Sequence, residues 1–474
     1  MKNFKNLSKM IAIFALAVFA LSCNDDDDKP VVAEEQNIVE LALGTPELSI
    51  LVQALAAADG DLVNVLQGDG PFTVLAPTNS AFVAFLNANG FGSLDDVPTD
   101  VLSQILLNHV IMADVTSSDL ISTGSGYASG SATSDVGLPI SIYFDTSNGV
   151  RFNNKAAVST ADIDATNGTI HIIDAVIGLP DVVDHAIANP AFSSLVTALG
   201  AADGNLVSVL QGAGPFTVLA PDNDAFAAFL DGAPLGGVDT AVLSQILLNH
   251  VLGAAINAEF LINAGAGYTI SSATGAGGNA MSIYYNTLDG VKFNGISSVT
   301  NADIVGTNGI IHAVDTVIDI PTVVTFAVAD PNFSTLVTAL TELTPSTDFV
   351  SILSRTEVGS PADGINPDFT VFAPTNDAFA ALDAVPGETV LTQVLLHHVI
   401  SEANIVSGDL NNPGDTMGTT LQGDDITITL PGTGDNIADI TDGSGVTDIG
   451  IIAVDVQAGN GVIHVINKVM IPNL

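Results

Sequence analysis

The apolar residues follow two different patterns along this chain. Helical spacing, with apolar side chains at positions i, i+3 and i+4, marks residues 48–55 and 101–106. Continuous apolar runs rich in β-branched residues occupy residues 72–75, 140–144 and 169–176 and predict buried strands. Because helices and strands do not alternate regularly, the pattern favours an α+β fold over a doubly wound parallel sheet.

Three sequence blocks each occur three times, always in the same order. His312 lies 141 residues after His171, and His464 lies 152 residues after His312, so each repeat has the length of a whole domain rather than of a solenoid unit. The FTVxAPxNxAF block occupies residues 72–82, 216–226 and 369–379, the LxQxLLxHV block residues 102–110, 243–251 and 391–399, and the NGxIH block residues 167–171, 308–312 and 460–464. The predicted domains are residues 37–179, 180–320 and 321–474.

Each predicted domain starts with a helix. Prolines end the apolar runs that follow the first two NGxIH blocks, and the next residues, Asp181 and Thr322, are good helix N-caps. Asn37 holds the same place in the first copy, and Glu40 three positions later completes a capping-box pattern. No Gly/Ser linker separates the copies in the sequence, so we expect a stiff array of domains.

The N-terminus has the three-part pattern of an export signal. Three lysines within the first nine residues form a basic region, and residues 10–20 form an apolar run of 11 residues, too short to cross a bilayer about 30 Å thick as a helix. Residues 1–22 are therefore predicted to be a signal peptide. The Leu-Ser-Cys sequence at its end resembles the bacterial lipobox, which implies lipid attachment at Cys23. The alternative is a plain secretory signal with a chance cysteine.

An acidic segment, residues 23–36, is predicted to be a tether. Its four consecutive aspartates, residues 25–28, resemble the acidic surface-export signal of Bacteroidetes lipoproteins, and a charged, solvated spacer is the alternative interpretation. The two interpretations are compatible with each other. They predict an exported protein that is lipid-anchored at the outer membrane and exposed on the cell surface.

Composition restricts the function classes. The chain has 474 residues, with 52 acidic and 9 basic side chains and a formal charge of −43. Nine cations cannot form the patch that binding to a nucleic-acid backbone requires, so nucleic-acid binding is excluded. The chain is nevertheless 47% hydrophobic and can bury real cores. Its single cysteine lies at the signal boundary, so no internal disulfide is expected in the mature chain.

Together the three blocks resemble the fasciclin (FAS1) domain family. The resemblance covers nearly all of residues 37–472 and implies three compact α+β units, in each of which helices pack on a wedge of antiparallel strands. It further implies a non-catalytic protein that acts in cell adhesion, and the expected partner is a surface or matrix protein or a glycan. No sequence pattern of a serine hydrolase, a zinc protease or a phosphate loop argues for an enzyme.

The family's adhesion motifs single out a small set of candidate residues. Animal members carry a Tyr-His pair in the second block and an Asp-Ile dipeptide before the final strand, both implicated in integrin binding. Here the residue before the histidine is Asn108, Asn249 or His397 and never Tyr, which argues against integrin recognition. The candidate binding residues are His109, His250, His398, Asp162, Ile163, Asp303, Ile304, Asp455 and Val456.

Each candidate also has a structural interpretation. A histidine at the end of an apolar helix is more often a hydrogen-bonded core residue than a ligand, and we expect the same of His171, His312 and His464 inside their β-branched runs. An Asp before a turn that contains glycine either caps that turn or binds a partner. The histidines within each copy are far apart in sequence, so we expect no zinc site.

Two further expectations concern ligands. A glycan- or small-ligand-binding lipoprotein linked to nutrient uptake is the alternative to adhesion, although the chain has no Trp and only five Tyr to stack on sugar rings. No cofactor is expected. Residues 59–61, 424–425 and 435–442 are candidates for weak calcium association, but none has EF-hand spacing, so diffuse screening of the surface charge is the favoured interpretation. The tyrosines are Tyr127, Tyr143, Tyr268, Tyr284 and Tyr285.

Overall fold

A computed structural model describes residues 35–474 of the chain. The predicted signal peptide, the predicted lipid-attachment residue Cys23 and all but the last two residues of the predicted tether lie outside the described residues. Within residues 37–474, three successive groups of helices and strands form, one for each repeat. We call them domains 1, 2 and 3.

The first helix of every domain begins at the predicted cap. Asn37 accepts a hydrogen bond from the backbone N–H of Glu40, whose carboxylate accepts one from the N–H of Asn37. Asp181 and Thr322 cap their helices in the same reciprocal way. These contacts satisfy N–H groups that have no partner inside the helix. The capping predictions are confirmed.

Three short helices precede the first strand of each domain, and its other helices lie between its first three strands. Domain 1 contains α1 (Ile38–Gly44), α2 (Ser49–Ala57), α3 (Leu62–Leu66), α4 (Asn79–Ala88), α5 (Thr99–Leu107) and α6 (Ser117–Thr123). Domain 2 contains α7 (Val182–Ala188), α8 (Ser193–Ala201), α9 (Leu206–Leu210), α10 (Asn223–Leu230), α11 (Thr240–Asn249) and α12 (Ala258–Ala264). Domain 3 contains α13 (Val323–Ala329), α14 (Ser334–Thr341), α15 (Phe349–Leu353), α16 (Asn376–Ala380) and α17 (Glu388–Leu396). Among residues 35–474 no single helix has both the length and the apolar character to cross a bilayer, although two sharply bent helix pairs, Ile38–Gly44 with Pro46–Ala57 and Val323–Ala329 with Pro331–Thr341, reach both together.

The strands of each domain lie mainly in its second half. Domain 1 contains β1 (Phe72–Pro77), β2 (Val110–Ile111), β3 (Ser125–Thr133), β4 (Pro139–Asp145), β5 (Arg151–Phe152), β6 (Ala156–Ala165) and β7 (Gly168–Ile173). Domain 2 contains β8 (Phe216–Pro221), β9 (Val251–Leu252), β10 (Ala266–Thr274), β11 (Ala280–Asn286), β12 (Lys292–Phe293), β13 (Ser297–Gly306) and β14 (Gly309–Val314). Domain 3 contains β15 (Phe369–Pro374), β16 (Val399–Ser401), β17 (Gly414–Thr419), β18 (Asp425–Leu430), β19 (Ala438–Thr441), β20 (Ile449–Ala458) and β21 (Gly461–Ile466).

One parallel strand pair joins the first and last strands of each domain. β1 carries the first sequence block and pairs in parallel with β7, which carries the NGxIH block, from Phe72 opposite Gly168 to Pro77 opposite Ile173. β8 with β14 and β15 with β21 repeat this pairing. The other paired strands of residues 35–474 are antiparallel. The predicted α+β fold class is confirmed.

The sheets of domains 1 and 2 close into barrels, whereas the sheet of domain 3 is open. In the closed barrels one residue pair joins the second strand to the third, Ile111 with Gly130 in domain 1 and Leu252 with Ser271 in domain 2. Within the described chain β16 and β17 form no such pair. β17 is therefore an edge strand.

Two apolar cores lie on opposite sides of the first strand. Side chains alternate between the two faces of a strand, so Phe72, Val74 and Ala76 face a core shared with the helices. Leu75 points the other way, into the barrel interior, where it joins a core that includes Ile142. Because both faces are covered, β1 is buried along its whole length, and this explains why its sequence is a continuous apolar run.

The domains meet through edge-to-face ring contacts. We call the contact between domains 1 and 2 junction 1 and that between domains 2 and 3 junction 2. In junction 1 the ring of Tyr127 on β3 packs on His185 of α7, with the ring centres 5.8 Å apart. In junction 2 Tyr268 on β10 packs on Phe326 of α13 at the same distance.

A buried serine hydrogen bond completes each junction. The hydroxyl oxygen of Ser141 on β4 accepts the backbone N–H of Val305 on β13 at 2.9 Å. Ser282 on β11 accepts the N–H of Gln457 on β20 at 3.0 Å. These contacts fit the stiff array expected from a sequence without linkers.

Candidate functional site

The three Asp residues of the candidate dipeptides share one uncommon backbone conformation. Asp162, Asp303 and Asp455 have positive φ angles of 57°, 58° and 61°. Each lies where the register shifts between the last two strands of its domain, so the strand bulges at this residue. Asp tolerates the left-handed region better than most residues. The bulge therefore explains why Asp recurs here.

Each of these carboxylates accepts hydrogen bonds at the start of a nearby helix. Oδ1 of Asp162 accepts the N–H of Ser117 at 2.7 Å, and the Ser117 hydroxyl donates to Oδ2. Asp455 accepts the same two hydrogen bonds, from the N–H and the hydroxyl of Ser407, the first residue of the short helical turn Ser407–Asp409. Asp303 accepts only the N–H of Ala258, at 2.9 Å, because Ala has no hydroxyl. Hydrogen bonds from Ser117 hold the pKa of Asp162 below its ordinary value.

The histidines of the NGxIH block support the bulge from inside. Nδ1 of His171 accepts the backbone N–H of Asp162 at 3.2 Å, and its Nε2–H donates to the carbonyl of Val115 at 2.9 Å. His312 makes the equivalent contacts at 3.3 and 2.8 Å, and burial lowers its pKa. His464 keeps the Nε2 contact, and its buried Nδ1 has no partner within residues 35–474. These contacts fit the structural role predicted for the three histidines.

His109, His250 and His398 lie inside the domains. Nδ1 of His109 donates to the carbonyl of Ile105 at 2.7 Å, and Nε2 accepts the N–H of Ile177 at 2.9 Å. Burial lowers the pKa of all three rings to about 4, so they are neutral at pH 7. Each ring joins a helix to the segment after the last strand of its domain. The contacts match the structural interpretation, and an adhesion role for these residues stays a prediction.

The three dipeptides differ in what covers them. Ile304 and Val456 are 1% and 4% exposed, whereas Ile163 is half-buried and Asp164 after it is exposed. The cause is the preceding domain, because β4 packs on β13 in junction 1 and β11 packs on β20 in junction 2. Within the described chain no strand of another domain packs in this way on β6, and Ile163 packs only on the core of its own domain. We call Asp162, Ile163 and Asp164 the end face of domain 1.

The five tyrosines lie at the junctions between domains or in the barrel interior. Tyr127 and Tyr268 contact the next domain, and burial raises the pKa of both hydroxyls above the ordinary value. Tyr143 and Tyr284 lie against them, with ring centres 5.2 and 5.1 Å apart. Tyr285 is part of the barrel core of domain 2. The tyrosines therefore offer little open ring surface for sugar stacking.

The acidic segments are engaged in internal contacts. Among residues 35–474 no three His, Cys, Asp or Glu side chains gather in a metal-binding group. Asp59 accepts a hydrogen bond from the hydroxyl of Thr99, and Asp61 accepts one from the amide of Asn64. Calcium association stays a prediction.

Sequence comparison agrees with this architecture. The Fasciclin domain family matches residues 46–180, 190–321 and 331–472, which is most of the chain. The chain belongs to the fasciclin family. Proteins of this family are typically non-catalytic and act in adhesion or matrix contacts.

Relatives of this fasciclin-family chain include animal and bacterial proteins. Transforming growth factor-beta-induced protein ig-h3 of Sus scrofa is 28% identical over 453 residues, which cover 93% of this chain and 59% of that protein. Periostin of Homo sapiens is 28% identical over 434 residues, which cover 88% of this chain and 45% of that protein. Protein sll1483 of Synechocystis is 36% identical over 186 residues, which cover 36% of this chain and 97% of that protein. This chain thus spans 45–59% of the length of the two animal proteins.

Sequence reasoning found the Asp residues but missed their partners. The Thr116 and Asp119 pair has the sequence pattern of a capping box and predicts that a helix starts at Ser117. The backbone N–H of Ser117 is the group that donates to Asp162. No local signal showed which dipeptide is covered, because that depends on how one domain sits on the next.

Proposed function

We propose that this fasciclin-family protein is a non-catalytic adhesion or matrix-interaction protein. It is held at the outer cell surface by a lipid on Cys23 and by the acidic tether of residues 23–36. The match of the Fasciclin domain family to all three domains is the observation that supports this most. The lipobox-like sequence and the four aspartates support the anchor and the surface location.

The junctions support a stiff projection from the cell. Edge-to-face ring contacts and buried serine hydrogen bonds hold each domain on the next. In a stiff array of related domains, a first weak contact raises the effective concentration for the next one. Three domains of moderate affinity can therefore hold a cell on a surface.

We assign the first adhesive contact to the end face of domain 1. Asp162 keeps 44% of its side chain exposed while its carboxylate is ionised, and Asp164 beside it is exposed. Two carboxylates next to a half-buried Ile163 suit a protein partner that presents Lys or Arg around an apolar side chain. A cationic patch also fits the overall charge of −43.

Attachment assays with a deletion strain test both parts of the proposal. We expect loss of attachment on deletion and recovery with the wild-type gene, while Cys23→Ser releases the protein into the medium and leaves the cells unattached. Surface labelling of intact cells checks the location. Equal attachment of the deletion and parent strains would contradict the adhesion function.

A matched pair of variants tests the assigned face. Asp162→Ala and Asp303→Ala both remove a carboxylate that accepts a helix N–H. The two Asp side chains are similarly exposed, 44% and 40%, but Ile304 and Val305 beside Asp303 are buried, whereas Ile163 is half-buried and Asp164 is exposed. We therefore expect attachment to fall only with Asp162→Ala. Equal effects of the two substitutions would refute the end face as the contact.

A further inference from the structure

Junction 1 contains a cleft of about 250 Å³ between the two domains. One wall is the turn between β5 and β6, with Asn154 and Lys155, and the opposite wall is α7, with Asp184 and Ile187. The chain that leads from domain 1 to domain 2 forms the floor, which includes Leu179. The cleft thus combines an amide, an ammonium, a carboxylate and apolar surface.

Three sequence differences between the junctions shape this cleft. A Cβ added at Gly178 meets no atom within 4 Å, whereas Asp319 occupies the equivalent position in junction 2. Asn154 is replaced by Gly295, where an added Cβ would lie 3.2 Å from the Cα of Ala329. The turn of junction 2 therefore sits directly on its helix, and the turn of junction 1 does not.

The charged groups of the cleft belong to junction 1 alone. Ile296 replaces Lys155 and Thr325 replaces Asp184 at junction 2. Within residues 35–474 the Lys155 ammonium makes no ion pair or hydrogen bond, so it lies more than 4 Å from the Asp184 carboxylate across the cleft. Oδ2 of Asp184 accepts the N–H of Asp181 at 3.1 Å, which leaves Oδ1 for another donor. A ligand between the two side chains would satisfy both.

We propose that this cleft binds one uncharged sugar residue of a glycan. A sugar hydroxyl accepts a hydrogen bond from Lys155 while another donates one to Asp184, a combination that a carboxylate ligand cannot provide. Leu179 and Ile187 offer apolar surface to the C–H groups of the sugar ring. Asp184 in the lining and the net charge of −43 of the chain disfavour an anionic ligand.

The expected affinity is weak, with a Kd on the order of 1 mM, because no aromatic ring lines the cleft. The inference goes beyond the proposed function, which assigns the end face of domain 1 to a protein partner, and gives the protein a glycan as a second class of partner. The cleft is a second contact point, separate from the end face of domain 1. It also gives the glycan-binding alternative a site that needs no tyrosine.

Saturation-transfer NMR on the intact protein tests the site, with methyl glycosides of neutral hexoses as probes and glucuronate as the anionic probe. We expect transfer to at least one neutral glycoside. The variant Asn154→Gly, Lys155→Ile, Gly178→Asp gives three positions of the cleft the residues of junction 2, and we expect the transfer to fall to background. Asn154 has a φ of 51°, which glycine accepts readily, so the variant should fold, and its thermal melting checks this.

Lys292→Ile is the matched control, because it removes a cation from β12 of domain 2 at a position away from the cleft. We expect the control to keep the wild-type transfer. Absence of transfer to any neutral glycoside, transfer that persists in the triple variant, or transfer to glucuronate alone would each overturn the proposal. These results leave the attachment phenotype of the deletion strain as a separate readout, so a failed cleft and a failed adhesion function are distinguishable.

Discussion

The two junctions share one architecture but differ in the chemistry of their tyrosine contacts. In junction 1 the hydroxyl of Tyr127 accepts a hydrogen bond from the side-chain amide of Asn189 at 3.1 Å. In junction 2 the hydroxyl of Tyr268 donates to the carboxylate of Asp330 at 3.0 Å. Changing Asn to Asp reverses the direction of the hydrogen bond and places a nearly buried charge at the interface. Both junctions thus place a tyrosine at the same position, and they differ in whether its hydroxyl pairs with a neutral amide or with a carboxylate.

The two junctions also differ in the ring that faces the tyrosine and in how closely the turn packs on the helix. His185 faces the tyrosine of junction 1, whereas Phe326 faces that of junction 2. Junction 1 leaves a cleft beside Asn154, and junction 2 closes directly on Gly295. Junction 1 is the more open contact, and junction 2 is the tighter one. Substitutions that exchange these features test how much each contributes.

The largest effect should come from Tyr268→Ala. The substitution removes a ring and leaves Asp330, which is 5% exposed, without its hydroxyl donor. Lost packing and a poorly paired buried charge should lower the free energy of unfolding by about 4 kcal/mol. The matched Tyr127→Ala leaves only a neutral amide unpaired and should cost about 3 kcal/mol. Urea unfolding measures both, and equal costs would contradict the role given to Asp330.

His185 should make junction 1 sensitive to acid. Burial lowers its pKa from 6.5 to about 4. The unfolded chain therefore binds the proton first, so stability is lost as pH falls from about 6.5 toward 4. The ring faces Tyr127, and its Nε2–H donates to the carbonyl of Val305. Its contribution to the pH dependence should be about 3 kcal/mol.

His185→Phe tests this contribution by copying junction 2. We expect the free energy of unfolding to fall less between pH 7 and pH 4 in the variant than in the wild type. Phe326→His is the reciprocal change and should steepen the fall, because it buries a second titratable ring at a junction. An unchanged pH profile in both variants would show that the junction rings do not titrate.

Substitutions in the turns at Gly295 and Asn154 should change the free energy of unfolding by a smaller amount. Gly295 has a φ of 71°, and an added Cβ would lie 3.2 Å from Ala329, so Gly295→Ala should cost about 2 kcal/mol. The reciprocal Asn154→Gly at junction 1 should change stability by less than about 1 kcal/mol, because no close contact is lost there. Thermal melting compares the two. A larger loss with Asn154→Gly would contradict the packing described for junction 2.

A small effect should come from the hydrogen bond that the Ser117 hydroxyl donates to Asp162. Ser117→Ala removes the hydroxyl that donates to Asp162 and gives domain 1 the residue that domain 2 has at Ala258. We expect a loss of about 1 kcal/mol and a rise in the pKa of Asp162, measured by NMR titration. Ala258→Ser should stabilise domain 2 by a similar amount. No change in the pKa of Asp162 would mean that the hydroxyl contact is not formed in solution.

Local sequence was enough for much of the fold and part of the candidate site. The cap at Asn37 and the strand predicted at residues 72–75 depend on neighbours within a few positions, and both form, the strand extending to Pro77. The core position of His109 followed from the apolar helix that precedes it. The bulge at Asp162 was missed because it depends on pairing with β7, and the covering of Ile304 was missed because it depends on a different domain.

The sequence by itself determined that three domains of one family follow each other, since repeated blocks and helix caps are local patterns that survive without coordinates. Only the tertiary structure decided which copy of a repeated motif stays exposed. Asp162 and Asp303 have nearly the same neighbours in sequence, yet Ile163 is half-buried and Ile304 is 1% exposed. Burial depends on what packs against a strand, and for β13 that neighbour is a strand of the preceding domain.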